Sequence, residues 1–252
     1  MSPFRLSIVS CNLWMTERWT ERTPAVEKFL GLFRPDVFCV QELTPLTRAF
    51  LDNVLKDHER VHDALAGWTV ESNIWWNASL LERVEHGAED LGQPETERRL
   101  FWVRLRVKSS GCSMFVSTAH LTPPGREPEA STGQSPRVGQ LQRICAALGR
   151  LVREGEPAFF MGDMNDARHP QRILKQIGFV SCFAALGLQS PPTFKCYPTA
   201  NVQPSEPAIT EAIDLILANR SARAIAACVP TFYYNGMAPS DHWPVQAVYE
   251  VE

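Results

Sequence analysis

FFMGDMN, residues 159–165, is a run of apolar residues that ends abruptly in a glycine, a carboxylate and an amide. Its first part reads as a buried β-strand. Asp163 and Asn165 then stand just past the strand's carboxyl end, where ligands bind in α/β sheets. The same arrangement recurs on both sides. Asn12 follows the apolar run 8–11, Glu42 follows 37–41, and His120 follows 116–119. Asp241 and His242 occupy a turn ahead of the last strand-like run. A polar residue that ends one strand needs only a structural explanation. The repetition along the chain points to a shared site.

Between these strands lie amphipathic stretches. Thr23-Pro24 opens an expected helix to Phe33, because proline suits a first helical turn, and its apolar positions Val26, Phe29, Leu30 and Phe33 share a face. Thr44-Pro45 opens a second, with Leu46, Phe50, Leu51, Val54 and Leu55 expected inward, and Pro136 opens a third. A helix is expected near 170–177, with Gly178 at its end. Further strands are expected at 6–11, 68–70, 74–81, 100–107, 113–119, 157–161, 213–218, 222–228 and 243–251, and long loops at 121–135 and 190–207. Several strands follow one another directly while others alternate with helices. This is an α/β pattern with mixed sheets, and no linker or repeat divides it, so residues 1–252 read as one domain.

The chain has 252 residues, 44% of them hydrophobic, and a formal net charge of −3. That balance does not announce a non-specific nucleic-acid binder, although local patches and a bound metal can still steer a polyanion. Seven cysteines, an odd number with no CxxC, read as reduced thiols, with Cys11, Cys39, Cys145 and Cys228 expected inside, and place the chain in a cytoplasmic compartment. No apolar run reaches the length of a membrane span. A Ser/His/Asp acyl hydrolase is disfavoured because no G-x-S-x-G elbow occurs.

Taken together, SCNLW (10–14), VQEL (40–43), STAHLT (117–122), FMGDMN (160–165), AIDLIL (212–217) and SDHWP (240–244) resemble, in order, the motifs of the exonuclease–endonuclease–phosphatase family, whose fold is DNase-I-like. The resemblance implies a four-layer α/β sandwich, two packed mixed β-sheets flanked by helices. It also implies a divalent-metal-dependent hydrolase of phosphate esters, a phosphodiesterase or nuclease, with Mg²⁺ or Mn²⁺ as cofactor. Asn12, Glu42 and Asp241 match the metal-ligand positions, and oxygen donors of this kind suit a hard cation. His120, Asp163, Asn165, Asp214 and His242 match the catalytic positions. Either Asp163 or His242 could take the proton of the attacking water, with Asp214 orienting the imidazole in the second case.

Arg137 and Gln140 match a frequent supporting pair, and Glu97 with Arg98 a second one. Trp14, Trp19, Trp75 and Trp76 could stack on a base, but such residues are more often core. The local likeness is strongest to the 5′-tyrosyl-DNA phosphodiesterase branch, in Arg137-x-x-Gln140-Leu141, FFMGDMN and SDHW. A phosphate-ester substrate, DNA or a nucleotide-derived phosphodiester among the candidates, is thereby expected for a monomeric enzyme. A phosphomonoesterase, a phospholipid-type phosphodiesterase and an inactive binding module of the same shape are the alternatives.

Overall fold

The computed structural model describes residues 3–95, 97–194 and 211–252. In chain order the elements are β1 (Phe4–Asn12), α1 (Trp19–Phe33), β2 (Val37–Gln41), α2 (Pro45–Val54), β3 (His58–Arg60), α3 (Gly67–Val70), β4 (Ser72–Asn77), β5 (Leu81–Glu89), β6 (Leu100–Val107), β7 (Ser113–His120), α4 (Glu129–Thr132), α5 (Pro136–Leu151), β8 (Ala158–Asp163), α6 (His169–Lys175), β9 (Val180–Ser181), α7 (Cys182–Ala185), β10 (Asp214–Ala218), β11 (Ala222–Cys228) and β12 (Val245–Val251).

The strands form two six-stranded sheets, ordered β11-β12-β1-β2-β4-β3 and β5-β6-β7-β8-β10-β9. Both sheets repeat one pattern. The third and fourth strands are parallel, β1 with β2 and β7 with β8, and every other neighbour is antiparallel.

Alternation along the strands builds three cores from these two sheets. Val37 and Cys39 of β2 point inward and meet Phe159 and Met161 of β8 in the central core. Phe38 and Val40 point the other way and pack with Val26, Phe29 and Leu30 of α1 and Leu51 of α2. Ala158 and Phe160 pack under Leu141, Ile144 and Leu148 of α5 and Leu174 of α6. The layers therefore run helix, sheet, sheet, helix. Burying a Leu, Ile or Phe side chain contributes about 1.5–3 kcal/mol. These cores, rather than surface ion pairs, hold the sandwich together.

Gly162 sets the joint between β7 and β8. Its φ is 135°, and a Cβ there would lie 2.0 Å from the carbonyl oxygen of Ala119. Only glycine lets the strands close in the register that sets His120 beside Asp163. Gly162→Ala is expected to lower unfolding free energy by about 2–3 kcal/mol in a urea titration. An unchanged midpoint would show that the joint has slack.

Several sequence expectations are corrected. Helix α1 starts at Trp19, not at Thr23, so Pro24 sits inside it. The earlier start buries Trp19 and Arg22. Residues 68–70 belong to helix α3, although Trp, Thr and Val favour strands, because packing of Trp68 against Phe101 overrides propensity. The expected strand 74–81 is two strands, β4 and β5, broken by a turn. Leu46 faces solvent, with 57% exposure. Loop 121–135 contains the short helix α4. Cys228 is exposed and Cys182 buried, the reverse of the expectation for Cys228. No disulfide occurs among the described residues, and Cys196 lies outside them. Most of the expected loop 190–207 also lies outside them. Among the described residues no helix is long and apolar enough to cross a membrane.

Candidate active site

The parallel pair of each sheet delivers its carboxyl ends to one edge of the sandwich. From the first sheet come Asn12 at the end of β1 and Glu42 just past β2; from the second come His120 and Asp163 at the ends of β7 and β8. Asp214 opens β10, which is antiparallel to β8, so its starting residue pairs with Asp163. Asp241 and His242 arrive in the turn before β12.

Asp163 is the hub and is 1% exposed. Its Oδ2 accepts from Asn12 Nδ2 at 3.0 Å, which bonds the two sheets together. The same oxygen lies 3.4 Å from His120 Nε2 and 3.9 Å from His242 Nε2. Its Oδ1 accepts from the backbone N–H of Asn165 at 2.9 Å, and Asn165 Nδ2 donates to Leu121 O. Glu42 Oε1 lies 3.9 Å from His120 Nε2, and Asp241 Oδ1 lies 4.0 Å from His242 Nε2. Every site residue expected from the sequence therefore belongs to one connected cluster. Glu42 and Asn165 are held with left-handed backbones, φ 54° and 47°. Such strain persists only where the surroundings over-determine it, and it concentrates at functional sites.

Two carboxylate–imidazole pairs flank the hub. His242 Nδ1 donates to Asp214 Oδ2 at 2.9 Å, and Phe194 lies against the ring with centroids 4.6 Å apart. Burial works against charge on His242, but Asp214 foremost, with Asp163 and Asp241, overcomes it and raises the pKa to about 10. His120 Nδ1 donates to Glu71 Oε1 at 2.9 Å. Burial again opposes the charge, yet the bond to Glu71 and the charges of Asp163 and Glu71 raise the pKa of His120. Arg98 approaches Glu71 Oε2 at 3.7 Å and donates to Leu121 O, so it braces this pair as well as the loop. Arg137 and Gln140 brace Thr122: Arg137 donates to its carbonyl, and Gln140 bonds both its N–H and its hydroxyl. Trp19, Trp75 and Trp76 are core, and Trp14 is half-buried.

Glu71 was missed by the sequence reading. It precedes β4, which runs antiparallel to β2, so the amino end of β4 lies beside the carboxyl end of β2. A rule that inspects carboxyl ends alone passes over it. The carboxylate just ahead of the buried run SNIWW was the available signal.

Two oxygen-rich sets could hold a cation. One ligand atom from each of Asp163, Asp214 and His242 lies within 4.8 Å of the others. In that set, however, Asp214 Oδ2 already accepts from His242 Nδ1, and the surrounding carboxylates favour the charged imidazole. Asn12, Glu42 and Asp241 offer oxygen only. Burial foremost, opposed by His242 and added to by the charge of Glu42, pushes the Asp241 carboxyl up to about 6. Asn12 Oδ1 accepts one bond, from Trp14 N–H at 2.9 Å, and keeps a lone pair. This donor set fits a hard divalent cation.

Known structures share the architecture. An endonuclease/exonuclease/phosphatase family protein from Bacteroides thetaiotaomicron superposes with TM-score 0.80 at 18% identity, covering 99% of each chain. A mannosyl-6-phosphatase from the same organism gives 0.78 at 18%, covering 97% of this chain and 99% of its own. D. rerio TDP2 complexed with single strand DNA product gives 0.75 at 19%, covering 97% and 98%. At such identities the likeness speaks to fold alone. No curated protein matches the chain in sequence. The sequence profile of the Endonuclease/Exonuclease/phosphatase family matches residues 9–242, from the strand that carries Asn12 to the imidazole paired with Asp214. The chain belongs to that family.

Proposed function

We propose that this chain is a divalent-metal-dependent hydrolase of phosphate esters, a phosphodiesterase or nuclease in its main reading, organised as one domain. The observation that supports it most is the hub. One buried carboxylate, Asp163, gathers an amide and two imidazoles, each imidazole held by its own carboxylate. A core network has no need of two carboxylate-paired imidazoles around a shared carboxylate at one sheet edge. A site that must hold an anionic phosphoryl group and move a proton does.

In this reading Asn12, Glu42 and Asp241 hold Mg²⁺ or Mn²⁺, which when bound neutralises charge on the phosphoryl and leaving oxygens. The chain's own residues do the rest. His242, whose neighbouring carboxylates, Asp214 foremost, favour its charged form, is placed to bond a phosphoryl oxygen. That favours Asp163 over His242 as the group that orients the attacking water and accepts its proton. Asn165 N–H fixes the Asp163 carboxylate from behind. His120, held by Glu71 and shifted toward its charged form by that bond and by Asp163, bonds a second phosphoryl oxygen. Cations converging on one phosphorane hold the developing negative charge without reorganising.

The test is turnover, with Mg²⁺, of a panel: bis-p-nitrophenyl phosphate, p-nitrophenyl phosphate, a phosphocholine diester, abasic DNA and a 5′-tyrosyl oligonucleotide. Hydrolysis of the diesters above the monoester supports the main reading. A preference for the monoester selects the phosphomonoesterase alternative. No turnover of any member identifies an inactive binding module.

A further inference from the structure

Arg22 lies in the first turns of α1 and is 0% exposed. A guanidinium so deep costs several kcal/mol unless its donors are used. Among the described residues no carboxylate lies within ion-pair distance of it. It is satisfied instead by backbone carbonyls. Nε donates to Glu17 O at 2.7 Å, and Nη1 donates to both Leu13 O at 3.0 Å and Pro239 O at 2.6 Å. Nη2 reaches Trp14 O at 3.3 Å and Met15 O at 3.5 Å. The rings of Trp14 and Trp19 cover it, with centroids 5.2 Å and 5.3 Å from the guanidinium carbon.

These acceptors belong to two segments only. Leu13 to Glu17 is the turn that leaves Asn12. Pro239 is two residues before Asp241. The turn is costly in itself, because Trp14 and Met15 are left-handed, with φ of 54° and 45°. Non-glycine residues in that region cost about 1–3 kcal/mol each and need surroundings that insist on them. Carbonyls turned inward onto one buried cation are such surroundings. The charge also sits on the side of the ligand set. Burial lowers the Arg22 pKa to about 10, while Asp241 and Glu42 are among the groups that hold its proton in place.

We propose that Arg22 is a positioning residue for the metal ligands: it ties the turn after Asn12 to the loop before Asp241 through carbonyls of both, and fixes their separation before a cation arrives. This rests on the metal reading of the site given above. Arg22 is fully buried and spends its donors on backbone carbonyls, so it governs metal affinity rather than the chemical step. Groups that orient metal ligands characteristically change affinity by about 10–100-fold when removed.

The measurement is Mn²⁺ binding to the whole chain, by electron paramagnetic resonance, beside kcat at saturating Mn²⁺. Arg22→Lys keeps the charge but loses the fork that reaches both segments. Pro239→Gly keeps Arg22 and frees the loop that presents the carbonyl. Each is expected to raise the Mn²⁺ dissociation constant about tenfold or more, with kcat at saturation within about threefold. The double variant should be no weaker than the worse single, because both loosen the same tie between the two segments. If Arg22→Lys does not fold, Pro239→Gly carries the test alone. A dissociation constant unchanged in the folded variants, or effects that multiply in the double, overturns the assignment. Loss of kcat with metal affinity intact overturns it too. Wild-type chain that binds no Mn²⁺ overturns the metal reading and this inference with it.

Discussion

His242→Ala is expected to lower kcat by about 10²-fold or more at saturating Mg²⁺, the range for a group that exchanges a proton or bonds the reacting oxygens. Asp214→Asn should lose most of the same activity, because the amide no longer holds the imidazole's charge. The double variant should then be little worse than His242→Ala alone, since groups that act as one unit are strongly non-additive. The structure sharpens the reason. Asp214 is 1% exposed, its Oδ2 meets His242 at 2.9 Å, and its Oδ1 has no hydrogen-bond partner among the described residues. Among the described residues the imidazole is the only side chain that hydrogen-bonds this carboxylate. Removing either partner leaves the other buried without its counter-charge, which costs about 3–5 kcal/mol, so kcat must be referred to the folded fraction in each variant. Losses that multiply would mean Asp214 acts apart from His242.

Chelation carries the second large effect. Excess chelator should reduce turnover to below about 1%, and Mg²⁺ or Mn²⁺ should restore it. Glu42→Gln should raise the Mg²⁺ concentration for half-maximal rate by at least about tenfold, because one anionic oxygen is lost from the set. The substitution is conservative for the backbone, since glutamine inherits the same left-handed φ of 54°. Full activity in excess chelator would end the metal reading and leave the imidazoles and Asp163 to act unaided.

The fold and most of the site could be read from the sequence for one physical reason. The central strands are buried on both faces, so they appear as unbroken apolar runs whose first polar residue marks the sheet edge. Asn12, Glu42, His120 and Asp163 were found that way. Asp241 and His242 were marked by the turn ahead of the last strand, whereas Asp214, which opens an antiparallel strand, needed the motif likeness. What was missed shares the opposite property. β5 is an edge strand whose residues, LERVEHGAE, are mostly half-buried or exposed, so it carries no clear hydrophobic period. Glu71 stands at the start of an antiparallel strand, where only the sheet topology shows it reaching the site. Arg22 was passed over because an arginine in an amphipathic helix reads as surface. Its burial follows from carbonyls contributed by a loop far along the chain.

The place of β12 has a consequence for how the chain assembles. It lies between β11 and β1, with Phe4 opposite Val251 and Ser10 opposite Val245. During synthesis β1 can pair on one side with β2 as soon as that strand exists, but its other edge stays open until residues 245–251 are made. Pairing across so long a separation closes a large loop and is slow, and open edges of this kind invite association with other chains. The same closure draws Asp241 and His242, just ahead of β12, toward Asn12 at the end of β1. Refolding followed by far-ultraviolet circular dichroism should thus recover helical signal first. Catalytic competence should return only with the slow phase in which the last strand docks beside the first.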